Sequence, residues 1–261
     1  ALDGASAGAP DAKEELRGTV ALVGGGPGAD DLMTLRGRNL LSRADVVVAD
    51  RLAPQRPLGE LRPTVEIVDA AKIPYGRSMA QDAINQVLVD RAREGKFVVR
   101  LKGGDPFLYG RGYEEAQACA EAGIPCSVVP GVSSALSVPA LAGIPVSNRG
   151  MTHEVTIVSG HLPPGHPGSL IDWEALARMR GTLVILMGVK NSPAIAESLM
   201  TGGRSADTPA AIIVDGSLDG QLAHRCTLGT MADTLSSHDV RPPAIVVVGA
   251  VAGLPQVLTR A

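Results

Sequence analysis

A glycine-rich loop in the middle of the chain holds the residues best suited to bind a small molecule. It spans residues 100–115 and reads R-L-K-G-G-D-P-F-L-Y-G-R-G-Y-E-E. Gly103 and Gly104 let a ligand approach the backbone, because glycine has no Cβ and readily adopts positive φ. Asp105 adds a carboxylate in a turn that the following proline stiffens. This composition favours a binding loop, with a tight structural turn as the alternative.

A second glycine-rich segment, residues 24–29, fits the dinucleotide-binding pattern G-x-G-x-x-A. It follows one apolar stretch, and Asp50 ends the next, as that pattern requires. Pro27 argues against this interpretation, because proline removes an N–H that a bound pyrophosphate would need. A nicotinamide-dependent dehydrogenase would also leave the loop at 100–115 without a role. A plain strand-turn-helix loop is the other alternative.

Apolar runs that alternate with helical stretches predict an α/β protein around these loops. Continuous apolar runs are typical of strands that are buried on both faces. The first set of runs is 20–23, 46–49, 65–68 and 97–101, and the second set is 155–159, 183–187, 210–214 and 244–248. A helix is predicted from Ser78, which forms a capping box with Gln81, to the stop signal at Gly95.

We predict two α/β domains, because a segment at 139–150 that is punctuated by Pro and Gly separates the two sets of runs. The expected ranges are a flexible tail at 1–16, an N-terminal domain with the glycine-rich loops at 17–146, and a C-terminal domain at 147–261. We expect a ligand site in the cleft between the domains, where such sites are common. The chain does not begin with Met, so we expect the tail to be a linker from a longer polypeptide.

The composition argues against several classes of function. A net charge of −3 and a total of one Trp, three Tyr and two Phe offer little to a nucleic acid. No apolar run approaches the roughly 20 residues of a membrane span, and the start lacks a signal-peptide pattern. The three cysteines have no CxxC spacing and the five histidines have no metal-ligand spacing. We therefore expect a cytoplasmic protein with reduced thiols and with no metal, nucleic-acid partner or membrane contact.

Four motifs, in order between about Gly18 and the C-terminus, resemble the tetrapyrrole (uroporphyrinogen/precorrin) methylase family. They are V-G-G-G-P-G at 23–28, V-A-D-R at 48–51, K-G-G-D-P-F at 102–107 with G-R-G at 110–112, and P-G-V-S-S at 130–134. The resemblance implies two αβα domains with the active site in the cleft between them, and a homodimer. From the start without Met and the tail at 1–16, we also expect a further domain to be fused upstream in the parent polypeptide, as in fused sirohaem synthases.

The function that the resemblance implies is S-adenosylmethionine-dependent C-methylation of a small-molecule tetrapyrrole, with S-adenosylhomocysteine as the second product. The expected reaction methylates uroporphyrinogen III at C2 and C7 to give precorrin-2, for sirohaem or cobalamin biosynthesis. One alternative is a methyltransferase of the same fold that acts on a later corrin precursor or a non-tetrapyrrole substrate. Another is the nicotinamide-dependent dehydrogenase, or a tetrapyrrole-binding carrier without catalysis.

The resemblance also assigns binding residues. Cofactor contacts map onto Pro27, Gly103, Gly104, Asp105, Leu108, Ser133, Ser134, Met187, Gly216 and Ala244. Four arginines beside the motifs are expected to bind the carboxylates of the substrate, namely Arg51, Arg77, Arg111 and Arg149. For each of them a surface or ion-paired arginine is the alternative. Ser147 and Asn148 stand before Arg149 where the family has Thr and His.

The acid/base pair of the family matches Asp50 and Lys72. A pyrrole carbon that gains a methyl group must lose a proton, so a positioned acceptor is required. Asp50 meets this need at the end of an apolar strand, with a turn-capping aspartate as the alternative. The family has a glycine before the lysine and a basic residue after it, whereas Ala71 and Ile73 stand here. A solvated surface lysine is therefore the alternative for Lys72.

Overall fold

The chain folds into two compact units, each built around one five-stranded sheet. A computed structural model describes residues 14–70 and 77–258. The division falls between Val132 and Ser133. Two sheets with accompanying helices confirm the predicted α/β class. The domain boundary expected after residue 146 stays a prediction.

The predicted tail falls only partly within the described residues. Residues 1–13 lie outside them, whereas Glu14–Leu16 form a short 3-10 helix. Leu16 packs against the core of the first unit. These last three residues are therefore part of the folded unit.

All five strands of the first sheet run parallel, in the order β3-β2-β4-β1-β5. Their bounds are Val20–Gly24 for β1, Val46–Ala49 for β2, Glu66–Asp69 for β3, Val98–Lys102 for β4 and Cys126–Val129 for β5. Strands β1, β2 and β4 are buried along their whole length, as their continuous apolar runs predict. Because the strands are parallel, the loops after β1, β2, β4 and β5 leave from one edge of the sheet.

Helices cover both faces of this sheet. Their bounds are Leu35–Arg43 for α1, Gln55–Gly59 for α2, Arg77–Arg93 for α3 and Gly112–Glu121 for α4. Successive residues of a strand point to opposite faces. Val23 of β1 joins a core with Leu41 of α1, while Leu22 joins another with Leu88 of α3 and Cys119 of α4. The first unit is therefore a three-layer αβα arrangement.

The second sheet is mixed, in the order β6-β7-β10-β8-β9. Its strands are Val155–Ser159 for β6, Thr182–Leu186 for β7, Pro209–Val214 for β8, Leu222–Thr227 for β9 and Ala244–Val248 for β10. Its helices are Ser134–Leu141 for α5, Trp173–Arg178 for α6, Ser192–Thr201 for α7 and Met231–Ser237 for α8. Strand β10 runs antiparallel to both β7 and β8. The ends of β7 and β8 therefore lie at the same edge of the sheet as the start of β10.

Helices α6, α7 and α8 share one core with the second sheet, and α5 packs against β7 and β10. No helix within the described ranges is long and apolar enough to cross a membrane.

Candidate active site

The two glycine-rich segments lie side by side at the carboxyl edge of the first sheet. The backbone N–H of Gly25 donates to the carbonyl oxygen of Lys102 at 2.7 Å. Gly26 and Gly104 exchange two backbone hydrogen bonds, at 2.6 Å from Gly104 N to Gly26 O and at 3.3 Å in the other direction. Segments that are almost 80 positions apart in the sequence thus form one surface, as the shared carboxyl edge of β1 and β4 requires.

Gly104 combines a left-handed backbone with open space. Its φ is +63°, and none of the described residues has an atom within 4 Å of a Cβ built on it. Gly24 and Gly131 are glycines for a different reason. A Cβ on Gly131 would lie 1.9 Å from the carbonyl oxygen of Gly104, and one on Gly24 would lie 2.4 Å from the Cα of Gly131. Three loops therefore pack backbone against backbone, and the space beside Gly104 is free to receive a ligand.

Asp105 holds these loops together through both of its carboxylate oxygens. Oδ2 accepts a hydrogen bond from the backbone N–H of Gly131 at 3.0 Å, and Oδ1 accepts one from Phe107 N at 2.8 Å. The sequence indicates Gly131 only within the motif P-G-V-S-S and does not predict its close packing against Gly104. The motif P-G-V-S-S was the signal that contained it.

The remainder of the loop is strained and partly exposed. Tyr109 and Arg111 have φ values of +55° and +58°, which residues other than glycine rarely adopt. The rings of Phe107 and Tyr113 are exposed and contact edge to face, with centroids 6.2 Å apart. Leu108 lies between them in sequence and is half-buried. Strain of this kind is typical of ligand-binding segments.

Arg111 forms a two-point ion pair with Glu114 in the first turn of α4. Its Nε donates to Oε1 at 2.9 Å, and its Nη2 donates to Oε2 at 2.6 Å. The hydrogen bond to Glu114 raises the pKa of Arg111, and the same bond lowers the pKa of Glu114. Both side chains are about half exposed, so the pair adds little to stability. The guanidinium remains accessible to an anion.

A network of four charged side chains lies beneath the loops. Nη2 of Arg100 donates to Oδ1 of Asp50 at 2.5 Å, and its Nε donates to Oε1 of Glu115 at 2.9 Å. Nζ of Lys102 lies 3.0 Å from the same Glu115 oxygen and 3.6 Å from Oδ2 of Asp50. Sequence reasoning singled out only Asp50 from this group. The missed signal is the pair of cations at alternate positions of an otherwise apolar strand.

Burial affects the two cations of this network differently. Burial and repulsion from Arg100 lower the pKa of Lys102, more than attraction to Glu115 and Asp50 raises it. Burial also opposes the charge of Arg100, but attraction to Glu115 and then Asp50 outweighs it and raises the pKa of that guanidinium. The paired carboxylates thus favour the charged form of Arg100, whereas burial disfavours the charged form of Lys102.

The predicted cofactor residues of the second unit lie at strand ends or at a helix start. Met187 follows β7 with a φ of +56° and is half exposed. Gly216 follows β8, and a Cβ there would lie 2.4 Å from Cγ1 of Val138. Ala244 begins β10 and pairs with the last residue of β8. These positions share one edge of the second sheet.

Ser133 and Ser134 begin α5 in the same unit. Oγ of Ser133 accepts a hydrogen bond from the backbone N–H of Ala135 at 3.2 Å, so Ser133 is the N-cap of the helix. Ser134 is the first helical residue.

The remaining predicted residues are less constrained. Pro27 is half-buried in the bend after β1, and Arg51 and Arg149 are exposed in turns. Arg77 begins α3, but its side chain is outside the described part of the structure. Lys72 lies wholly outside the described residues, so its pairing with Asp50 stays a prediction. Within the described residues, no group of three or more His, Cys, Asp or Glu is placed to hold a metal ion.

Comparison with known proteins identifies relatives over nearly the whole chain. The S-adenosyl-L-methionine-dependent uroporphyrinogen III methyltransferase of Methanosarcina barkeri is 46% identical, over 92% of this chain and 94% of the relative. The uroporphyrinogen-III C-methyltransferase of Bacillus subtilis is 40% identical, over 89% of this chain and 90% of the relative. Siroheme synthase 1 of Yersinia pseudotuberculosis is 45% identical over 91% of this chain, which spans only 49% of that longer protein.

Solved structures give the same result. The uroporphyrin-III C-methyl transferase of Thermus thermophilus, complexed with S-adenosyl homocysteine, matches with a TM-score of 0.76 and 38% identity, over 90% of this chain and 99% of that one. The family profile described as Tetrapyrrole (Corrin/Porphyrin) Methylases matches residues 19–232. These matches confirm the resemblance of the four motifs and the two-domain αβα fold: the chain belongs to the tetrapyrrole (corrin/porphyrin) methylase family.

Proposed function

We propose that this chain methylates uroporphyrinogen III at C2 and C7, with S-adenosylmethionine as methyl donor, and so produces precorrin-2 and S-adenosylhomocysteine. The observation that carries the proposal is the open, left-handed backbone at Gly104, at the same edge of the sheet as the partly exposed carboxylate of Asp50. The backbone N–H of Asp50 donates to Leu101 of the same strand that leads to Gly104, at 3.1 Å. The relatives named for this reaction cover almost the whole chain.

The residues present fit S-adenosylmethionine. When bound, this cofactor supplies a methyl group that is already electrophilic. The chain therefore has to bind the cofactor, orient it and exclude water. The free space over Gly104 accommodates a ligand against the backbone, and Pro27 leaves no phosphate-binding turn. Gly103, Asp105 and Leu108 in the first unit, and Ser133, Ser134, Met187, Gly216 and Ala244 in the second, are the remaining proposed contacts.

Asp50 is the proposed proton acceptor. Its side chain is 34% exposed while the charged groups behind it are buried, so it is the member of the network that a substrate can reach. Lys72 stays the proposed acid partner. Arg51, Arg77, Arg111 and Arg149 are the proposed cations for the substrate carboxylates, since guanidinium groups bind carboxylates at two points.

The assembly around this activity is also a proposal. We expect a cytoplasmic homodimer with the site in the cleft between domains whose boundary follows residue 146. The long siroheme synthases, of which the chain spans about half, support the idea of a fused domain, which we expect upstream. The product would then serve sirohaem biosynthesis, with cobalamin biosynthesis as the alternative.

Mass spectrometry of uroporphyrinogen III after incubation with the protein and S-adenosylmethionine tests the proposal. We expect the substrate to gain two methyl groups and to release two equivalents of S-adenosylhomocysteine. If uroporphyrinogen III stays unmodified while a later corrin precursor is methylated, the chain is a methyltransferase of a later biosynthetic step. If calorimetry shows tight NAD binding and no S-adenosylhomocysteine binding, the chain is a dehydrogenase and the methyltransferase proposal is wrong.

A further inference from the structure

The carboxylate of Asp50 is held at both of its oxygens by buried cations. Nη2 of Arg100 donates to Oδ1 at 2.5 Å, and Nζ of Lys102 lies 3.6 Å from Oδ2. The side chains of Arg100 and Lys102 are only 2% and 3% exposed. A carboxylate with a fixed cation at each oxygen has a defined plane and direction, even though one third of its surface is open to solvent.

Both cations depend on one anchor. Oε1 of Glu115 accepts hydrogen bonds from Arg100 Nε at 2.9 Å, from Lys102 Nζ at 3.0 Å and from Gln81 Nε2 at 3.3 Å. Glu115 is completely buried in the first turn of α4 and is the last residue of the glycine-rich segment at 100–115. The position of Asp50 at the end of β2 is thereby tied to β4, α3 and α4. The guanidinium of Arg100 is further held by the carbonyl oxygens of Val48 and Leu101.

Stability alone is a poor reason for this arrangement. Removing the three buried charged groups of the network from water costs several kcal/mol per ion, and apolar residues of similar volume are often at least as stabilising. Leu and Val at these positions of β4 would continue the apolar pattern of the strand. Moreover, Oε2 of Glu115 is buried without a hydrogen-bond partner within the described residues. What the network provides is a fixed geometry for its one exposed member.

We propose that Arg100, Lys102 and Glu115 are positioning residues for methyl transfer, which fix the two carboxylate oxygens of Asp50 towards the substrate. This inference rests on the proposed function, in which Asp50 accepts the proton. Lys102 is too deeply buried to touch a substrate, so its effect is exerted through Asp50. The network also links Asp50 to the loop proposed to bind the cofactor, because Lys102 directly precedes Gly103.

Lys102→Met is the first test, because methionine keeps the length of the side chain and removes its charge. Lys96→Met is the matched control, since Lys96 is exposed just before the same strand. We expect Lys102→Met to lower the kcat for methyl transfer by about 10- to 100-fold, the usual effect of a misplaced reacting group. The KM for uroporphyrinogen III and the Kd for S-adenosylhomocysteine should stay within about twofold, since neither ligand contacts Lys102.

A double-mutant cycle with Asp50→Asn separates positioning from structural support. If Lys102 acts only through Asp50, then adding Lys102→Met to Asp50→Asn should change kcat by less than about twofold. Full additivity of the two losses, or a Lys102→Met enzyme as active as Lys96→Met, would overturn the proposal. A wild-type protein that does not methylate uroporphyrinogen III would instead remove the proposed function itself.

A second variant covers the case in which Lys102→Met does not fold. Lys102→Met combined with Glu115→Gln removes one buried positive and one buried negative charge and leaves the Arg100–Asp50 pair. We expect this folded variant to show the same loss of kcat with unchanged S-adenosylhomocysteine affinity. Failure of both variants to fold, while Lys96→Met folds, would assign the network to stability and overturn the proposal.

Discussion

Replacing Gly104 by alanine should weaken cofactor binding without disrupting the fold. The new Cβ would meet no atom of the described residues within 4 Å, so the change creates no clash with them. Its cost to folding is the left-handed conformation at φ +63°, which amounts to about 1–2 kcal/mol for a residue with a Cβ. The methyl group would project into the space that we assign to the cofactor. We expect the Kd for S-adenosylhomocysteine to rise by at least about tenfold, or about 1.4 kcal/mol.

Gly123→Ala provides a matched control for this substitution. Gly123 follows α4 with a φ of +71°, and a Cβ there would likewise meet nothing within 4 Å. Both variants should therefore lower Tm by a similar few degrees. Isothermal titration calorimetry with S-adenosylhomocysteine should show weakened binding for Gly104→Ala alone. Equal affinities in the two variants would refute the placement of the cofactor beside Gly104.

Three further outcomes are expected. Gly131→Ala should lower Tm much more than Gly104→Ala does, because a Cβ at position 131 would lie 1.9 Å from the carbonyl oxygen of Gly104. Equal Tm values of the two variants in a thermal melt would contradict the close backbone packing. Asp50→Asn should reduce methyl transfer by about 10²- to 10⁴-fold with unchanged S-adenosylhomocysteine affinity, and retained turnover would leave Asp50 as a turn-capping residue. Burial, and then repulsion from His238, lower the pKa of His224 below 6.5 in the folded chain. The unfolded chain therefore takes up that proton first, and stability should fall as the pH drops through about 6.5. His224→Gln should flatten this decline in Tm, and an unaltered pH dependence would exclude His224 as its source.

The central strands of the first sheet were predictable because burial on both faces demands a continuous apolar run. Strands β1, β2 and β4 occupy the positions expected from that pattern. Strands β5 and β9 were missed. The first reads C-S-V-V and the second L-A-H-R-C-T, and both lie at sheet edges where solvent permits polar residues. Their pairing follows from neighbouring strands, which a local pattern does not contain.

The start of α3 shows how a tertiary contact changes the role of a local signal. Ser78 and Gln81 fit a capping box, but the helix begins at Arg77, so Ser78 lies inside it. Gln81 is buried and donates to Glu115 instead. Gly95 does end the segment, with a φ of +77°. The helix stop at Gly95 depends on that residue alone and could be predicted locally. The capping box could not, because the side chain of Gln81 bonds Glu115, 34 positions away.

The charged network escaped sequence reasoning for the same physical reason. Arg100 and Lys102 stood in an apolar strand, but their partners Asp50 and Glu115 are 50 and 15 positions from Arg100. Charge on a buried strand is costly unless it is paired, so its presence predicts a partner without identifying it. Only the parallel pairing of β2 with β4, and the packing of α4 on the sheet, define which carboxylates meet these cations.

The glycines of the family motifs are glycines for two distinct physical reasons, and these reasons predict different failures. Gly24 and Gly131 allow three backbones to pack closely, so a side chain at either position acts first on folding. Gly104 leaves space that the described residues do not occupy, so we expect a side chain there to act first on a ligand. Asp105 connects the two kinds of glycine. It directly follows Gly104, and its carboxylate accepts a hydrogen bond from the N–H of the closely packed Gly131. The proposed binding surface would thus derive its rigidity from glycines that need not touch the ligand at all.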